Sequence, residues 1–429
     1  MHVNKESLLF FNRYSSYFVL VLSTILLFNC ISSGNENEEM PEIDYNSGNY
    51  LILISFDGFR WDYMEKTATP NLDRLVKSGV KAKALIPAFP TKTFPNHYTI
   101  VTGLYPENHG ITFNTIYDPV FDATFSLGNR NEVANGRWWG GEPIWVTAET
   151  QGVKTFCNFW PGSEAEIKGA RPTYYTAYDG NIPNSVRVNR VFNYLDKPAS
   201  ERPSFYTLYF SDTDDYGHLN GPDSSSINIA IQECDARIGQ LITGLEERNL
   251  FDKVNIIIVS DHGMAQLSHD RVIYLDDYLD PSNLRIPNWY PVMDLWCEDS
   301  QADSIYNLIH GKHPNFTVYK KEGVPTDLHF SKNRRIAPII GILDNGWSLT
   351  SHNYFDENPS FYSGGTHGYD PKNKDMHAFF LAHGPAFKNE ITVPAFENIH
   401  IYNIMARVLD LNSAQNDGNF DIAELILKN

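Results

Sequence analysis

Three apolar runs in this sequence each lead into an aspartate, and two of them also bring a histidine. "YLILISFD" closes on Asp57, "SFYTLYFSDTDDYGH" passes into Asp214 and His218, and "VNIIIVSDHG" reaches Asp261 and His262. Each run is β-branched, aliphatic or aromatic throughout, as expected of a strand covered on both faces. One aspartate after a strand is ordinary turn or helix-cap chemistry. Carboxylates gathered from three strand ends repel one another unless a cation lies between them, and His with Asp is a ligand set suited to Zn²⁺ or a similar divalent ion. A two-metal site is the expectation. Asp214 and His218 stand four residues apart, which one helical turn or a tight loop can aim at one ion; Asp212 and Asp215 are expected to be supporting or solvent-facing neighbours.

A fourth stretch, "FPTKTFPNHYT" over residues 89–99, supplies a reactive group. Pro95 suits the first turn of a helix, which predicts a helix from near Pro95 with Thr93 just ahead of it. There, free backbone N–H groups and the positive end of the helix dipole favour an anion. A threonine hydroxyl is a poor nucleophile at neutral pH, but coordination to a metal lowers its pKa and makes it an attacking oxygen. Thr91, in the extended approach, has no comparable claim. His97 is expected to pack or support the site within that helix, and His377 and His383, flanking "AFFLA", to be buried and hydrogen-bonded. Glu142 and Trp145 in "GEPIW" look structural.

These residues need a scaffold that brings distant segments to one edge. Beyond Gly48 apolar runs alternate with amphipathic segments without internal repeats, the pattern of an α/β domain. In open parallel sheets the ligand site lies beyond the carboxyl ends of the strands, where Asp57, Asp214 and Asp261 would meet. The 429 residues, 42% of them hydrophobic, can bury a large core. A formal charge of −18 excludes general affinity for nucleic-acid duplexes or anionic membranes. A phosphate-bearing substrate would need local positive charge, such as metal ions. The segment of about 265–364 is expected to form an inserted, strand-rich subdomain over the site. The last segments, "IYNIMARVLDL" and "FDIAELIL", show helical spacing.

Lys5 and Arg13 precede an uncharged apolar stretch over residues 14–29, the pattern of an export signal. It resembles a bacterial lipoprotein signal with Cys30 as the lipidated residue. Leu27, Phe28 and Asn29 lack the usual small residue before the cysteine, so an uncleaved anchor helix is the alternative. Residues 31–48 are a flexible tether. The expectation is an exported monomer, periplasmic or at the cell surface, held to the membrane by its N-terminus. Cys157, Cys234 and Cys297 form no disulfide framework; three free thiols, or one bridge and one free thiol, fit equally.

The stretches "SFDGFRWDY", "ATPNLDRL", "FPTKTFPNHYTIVTGLYPENHGI", "GEPIWVTAETQG", "FWPGSEAEI", "DTDDYGH", "SDHGM", "GTHGYD" and "MHAFFLAHGPAFK", in this order, make the chain similar to the nucleotide pyrophosphatase/phosphodiesterases of the alkaline phosphatase superfamily. The resemblance implies an α/β, alkaline phosphatase-like three-layer domain over 49–429, with a mostly parallel central sheet and the small inserted subdomain. It implies two Zn²⁺ ions, one held by Asp57, Thr93, Asp261 and His262 and the other by Asp214, His218 and His367 in "GTHGYD". It further implies phosphodiester and pyrophosphate hydrolysis of nucleotides in two in-line steps through a phosphothreonyl intermediate at Thr93, releasing nucleoside 5′-monophosphates. Asn114 in "HGITFN" would donate to a phosphoryl oxygen. Phe94 and Tyr175 would stack on the two faces of the base, with Tyr174 or Tyr178 in place of Tyr175 if the register slips. The absence of a C-x-P-S-R stretch sets aside the sulfatase branch. The competing readings are a phospholipid, glycerophosphodiester or phosphomonoester hydrolase on the same site, and a zinc-binding surface lipoprotein without turnover.

Overall fold

A computed structural model describes residues 49–428; the export signal, Cys30 and the tether lie outside the described residues. In chain order the strands used below are β1 (Tyr50–Phe56), β2 (Gly79–Ala82), β3 (Thr155–Asn158), β4 (Tyr174–Thr176), β5 (Phe205–Phe210), β6 (Val254–Val259), β7 (Val292–Leu295), β8 (Phe316–Lys320), β9 (Ile339–Leu343), β10 (Phe380–His383) and β11 (Ile391–Val393). Eight of them form one sheet in the order β11-β2-β10-β6-β1-β5-β3-β4. Only β10 runs against the others.

The helices that cover this sheet are α1 (Pro70–Lys77), α2 (Thr93–Thr102), α3 (Ile144–Thr150), α4 (Asn184–Leu195), α5 (Asp212–Asn220), α6 (Ile227–Glu247) and α7 (Ile401–Val408). Side chains alternate across the strands, so β1 feeds two cores. Ile52, Ile54 and Phe56 pack with Leu72 and Leu75 of α1, Val188 and Val191 of α4 and Ile231, Ile238 and Leu241 of α6. Leu51 and Leu53 face the opposite layer, with Ile100 and Val101 of α2, Trp145 of α3 and Ile404 and Met405 of α7. All seven β1 residues are buried. Each large apolar side chain so buried contributes about 1.5–3 kcal/mol, which explains why the central strands read as continuous apolar runs.

In the 265–364 segment, β7, β9 and β8 make an antiparallel sheet in that order. Met293, Leu295, Phe316 and Val318 share a cluster of their own, while Val292 and Ile340 reach the core that α2 and α7 cover. Cys157, Cys234 and Cys297 are free thiols, the first two buried. Among the described residues no helix is long and apolar enough to cross a membrane.

Candidate active site

The central strands end level with one another. Ser55 of β1 pairs with Tyr209 of β5 on one side and Val259 of β6 on the other, so the residues that follow leave the sheet at one edge. The Asp57 N–H still donates to the Phe210 carbonyl at 2.9 Å. Gly58 then turns the chain with φ +66°; a Cβ there would lie 3.0 Å from the Asp214 Cα. Glycine thus lets the end of β1 approach α5 and aims its N–H at Asp261 Oδ1, 3.1 Å away. The Tyr209 hydroxyl donates to Asp57 Oδ2 at 2.6 Å. Asp57 Oδ1, Asp214 Oδ1 and Asp261 Oδ2 are buried without any hydrogen-bond partner among the described residues. Unpaired carboxylate oxygens this close cost several kcal/mol each unless a cation joins them, so the donor set fits divalent metal.

The histidines complete that set. On α5, His218 Nε2 stands 3.3 Å from Asp214 Oδ1, with His367 Nε2 at 3.7 Å from the same oxygen. His262 Nε2 lies 2.9 Å from Asp261 Oδ2 and 3.4 Å from Asp57 Oδ1. In all three rings Nδ1 meets a backbone carbonyl: Gly365 for His218, Gly263 for His262 and Thr91 for His367, at 2.8–2.9 Å. A carbonyl only accepts, so each Nδ1 carries a proton, which leaves Nε2 as the nitrogen that could offer a lone pair to a metal among the carboxylates. Asp212 and Asp215 are engaged elsewhere, with Asn184 and Ser211.

Thr93 is the first residue of α2, with Lys92 as its N-cap. This corrects the expected start near Pro95: the helix begins two residues earlier and includes the threonine, because Asn96 rather than Pro95 fixes the turn. Asn96 is fully buried; its amide donates to the carbonyls of Ala88, Pro90 and Lys92, and its Oδ1 accepts from the Ala88 N–H and Asn398. Thr93 Oγ1 lies 3.4 Å from His262 Nε2. Asn114 Oδ1 accepts from the Phe94 N–H at 2.9 Å.

Burial and the charges of Asp261 and Asp214 push the Asp57 carboxyl well above the usual range. Burial would raise Asp261 too, but His262 and His97 beside it hold it well below. Atoms of Asp214, His262 and His367 lie within 4.8 Å of one another, as do atoms of Asp57, His97 and Asp261. His97, however, has both nitrogens engaged, Nδ1 with the Thr93 carbonyl and Nε2 with Ser55 Oγ. It positions Asp261 and the start of α2 rather than offering a lone pair. His262 stands at the seam of the two groups.

A cleft of about 200 Å³ opens beside Thr93, lined among others by Asp57, Phe94, Phe159, Tyr178 and Tyr209. Tyr175 is not among its lining residues. It is 41% exposed on the edge strand β4, its hydroxyl accepting from Arg171. Because alternate residues of an edge strand point to opposite faces, the ring that reaches the cleft comes from the loop beyond, at Tyr178, which packs on Phe159.

A family model described as "Type I phosphodiesterase / nucleotide pyrophosphatase" matches residues 51–370, from β1 through the His367 loop. The chain belongs to the type I phosphodiesterase/nucleotide pyrophosphatase family. Among family relatives, a venom phosphodiesterase of Macrovipera lebetinus is 42% identical over 390 residues, 88% of this chain and 45% of that protein. Ectonucleotide pyrophosphatase/phosphodiesterase family member 3 of Mus musculus is 40% identical over 389 residues, 88% of this chain and 44% of the relative. The chain thus spans about half the length of these relatives. Murine ectonucleotide pyrophosphatase/phosphodiesterase 5 superposes with a TM-score of 0.84 at 36% identity, covering 88% of this chain and all of that one. A second structure of it, an inactive threonine-to-alanine variant in complex with AMP, gives 0.83 at 36% identity, covering 88% and 99%. The α/β, alkaline phosphatase-like fold with a mostly parallel sheet is therefore the fold of this family member.

Tyr209 and Asn96 escape sequence reasoning. Tyr209 is the next-to-last residue of β5, just before the acidic stretch, and that placement is the only local signal of its contact with Asp57. Asn96 carries none, since its partners across the 88–92 loop and Asn398 are visible only in the fold. His377 and His383 bond to the backbone carbonyls of Pro371 and Ser78 rather than to the ligand set.

Proposed function

We propose that this chain hydrolyses phosphodiester and pyrophosphate bonds of nucleotides and releases nucleoside 5′-monophosphates, with Thr93 as nucleophile. The observation that carries this reading is the convergence of unpartnered carboxylate oxygens and three Nδ1-protonated histidines, one of which, His262, lies 3.4 Å from the Thr93 hydroxyl. Asp57, Thr93, Asp261 and His262 would hold one Zn²⁺, and Asp214, His218 and His367 a second. When bound, such ions supply Lewis acidity that lowers a hydroxyl pKa and offsets charge on the phosphoryl oxygens.

Thr93 Oγ forms its bond to phosphorus as the bond to the leaving oxygen breaks, the electron pair departing with that oxygen and the hydroxyl proton passing to water. Water then displaces Thr93 Oγ from phosphorus, and the threonine regains a proton. The Asn114 NH₂ donates to a phosphoryl oxygen while its carbonyl stays fixed by the Phe94 N–H. Phe94 and Tyr178, both lining the cleft, provide the aromatic faces for a nucleoside base. The AMP bound by the murine relative supports a nucleoside 5′-monophosphate as the product. Export and lipid attachment through Cys30 belong to the same proposal.

The test is turnover by the zinc-supplied protein on p-nitrophenyl thymidine 5′-monophosphate, p-nitrophenyl phosphate and p-nitrophenylphosphorylcholine. Preference for the thymidine diester, lost on chelation, is expected; preference for the choline ester or the monoester would overturn the substrate assignment.

A further inference from the structure

Thr91 stands two residues ahead of Thr93, is fully buried, and makes hydrogen bonds to three successive residues. Its carbonyl accepts from His367 Nδ1 at 2.8 Å. Its hydroxyl accepts from the Gly368 N–H and donates to the Tyr369 carbonyl, both at 2.9 Å. The loop that carries the nucleophile and the loop that carries His367 are thus laced together at one threonine. They also pack closely, since a Cβ at Gly368 would lie 2.5 Å from Lys92 Cε. On either side of this contact the His367 loop has other anchors. Ahead of it, Gly365 and Thr366 pair with Gln266 and Ala265 as two short antiparallel strands. Beyond it, the Tyr369 hydroxyl donates to the Trp347 carbonyl at 2.8 Å. Between these anchors lies His367, whose Nε2 is 3.7 Å from Asp214 Oδ1 and whose ring stacks on that of His262 with centroids 3.4 Å apart.

We propose that the Thr91 hydroxyl is the positioning group for His367, fixing where its Nε2 meets the metal that Asp214, His218 and His367 would hold. The inference rests on the reading of these three residues as one ligand group. A hydroxyl donates and accepts at once, so it can serve an N–H and the carbonyl one residue further on. Valine has nearly the same shape but leaves both groups, which belong to buried residues, without that partner. The bond from His367 Nδ1 goes to the Thr91 backbone and stays available whatever the side chain; its geometry is what the hydroxyl secures. The two residues that flank the nucleophile therefore divide the work: Asn96 places Thr93, and Thr91 places His367. Partners one step removed from a metal tune its affinity by about 10- to 100-fold. The Thr91 hydroxyl acts through the loop, which puts its effect at the lower end, about tenfold, and confines it to one of two metal equivalents.

The experiment is a chelator titration of the zinc-loaded full chain that counts the zinc retained per chain in the wild type, Thr91→Val, Thr91→Ser and His367→Ala, the last marking which equivalent His367 holds. Thr91→Val is expected to release that equivalent at a free-zinc concentration about tenfold above the wild-type value, with the other equivalent unmoved, and Thr91→Ser to match the wild type. Retention of both equivalents by Thr91→Val, or loosening not confined to the His367 equivalent, would overturn the proposal and leave Thr91 a packing residue. If Thr91→Val fails to fold, Thr91→Ser carries the test: loss of the equivalent in a variant that keeps the hydroxyl overturns the proposal, and retention supports it. A wild type that takes up a single zinc, or an unchanged zinc count in His367→Ala, would instead overturn the grouping of Asp214, His218 and His367 as ligands, and the proposal with it.

Discussion

Asp57 receives its hydrogen bond from Tyr209 at 2.6 Å, and its other oxygen is left for a cation. Tyr209→Phe removes that donor without removing a metal ligand. Outer-shell partners of this kind tune metal affinity by about 10- to 100-fold, so chelator titration of the variant is expected to show metal loss at a correspondingly lower chelator concentration. Unchanged retention would assign Tyr209 to packing alone. At the cleft, Phe94→Ala and Tyr178→Ala are expected to raise KM for p-nitrophenyl thymidine 5′-monophosphate by about tenfold, with much less effect on bis-p-nitrophenyl phosphate, which has no base to stack. Tyr175→Ala is expected to match the wild type on both esters. Asp57, Asp261 and His262 are legible in the sequence because a strand end fixes where they emerge. Tyr175 and Tyr178 are not separable there, since a three-residue edge strand leaves its register open until its neighbours are known.

Helix α2 carries Thr93 on its first turn, and its position depends on contacts the local sequence does not disclose. Asn96 ties that turn to residues 88–92 through fully buried amide bonds. Asn96→Ala leaves the buried carbonyl and N–H of Ala88 unpaired and takes one of two bonds from the Pro90 and Lys92 carbonyls, so a loss of about 2–4 kcal/mol in urea unfolding is expected, with kcat falling further than KM rises because the nucleophile is misplaced. His109 secures the other end: its Nε2 meets Thr99 Oγ1 at 3.0 Å and its Nδ1 accepts from the Ile111 N–H at 3.1 Å. Burial, with Arg335 nearby, pushes its pKa from 6.5 down to about 3. The unfolded chain therefore binds more protons than the folded one between these values, and the stability His109 confers is complete above pH 6.5 and is lost as the pH falls towards 3. Urea midpoints at pH 7.5 and 5 should differ less for His109→Gln than for the wild type; an equal difference would remove His109 from the acid response. The helix itself is legible from "FPNHYTIVTG", whose glycine closes it in the left-handed conformation at φ 67°. Its first residue is not, because Pro95 is equally compatible with a start at either place.

Across the whole molecule, three carboxylates, Asp57 and Asp261 buried and Asp214 partly so, meet at one sheet edge in a chain with a formal charge of −18. A ligand that binds only the folded state at 1,000 times its Kd adds about 4 kcal/mol. Chelation should therefore lower the melting temperature by several degrees and zinc should restore it, whereas an unchanged melting temperature would place the metal outside the fold's stability. The doubly covered sheet is legible because β1, β5 and β6 bury both faces and so cannot alternate polar with apolar residues. The cleft that Lys92 lines with Trp289, Tyr290, Tyr354 and Tyr362 is not, because these aromatic residues are far from Lys92 in the chain and meet it only in the fold. The central claim is that Thr93 is the nucleophile, and turnover of p-nitrophenyl thymidine 5′-monophosphate by Thr93→Ala, at wild-type metal content, tests it most directly. A fall of roughly a thousandfold or more is predicted; hydrolysis at the wild-type rate would contradict the mechanism.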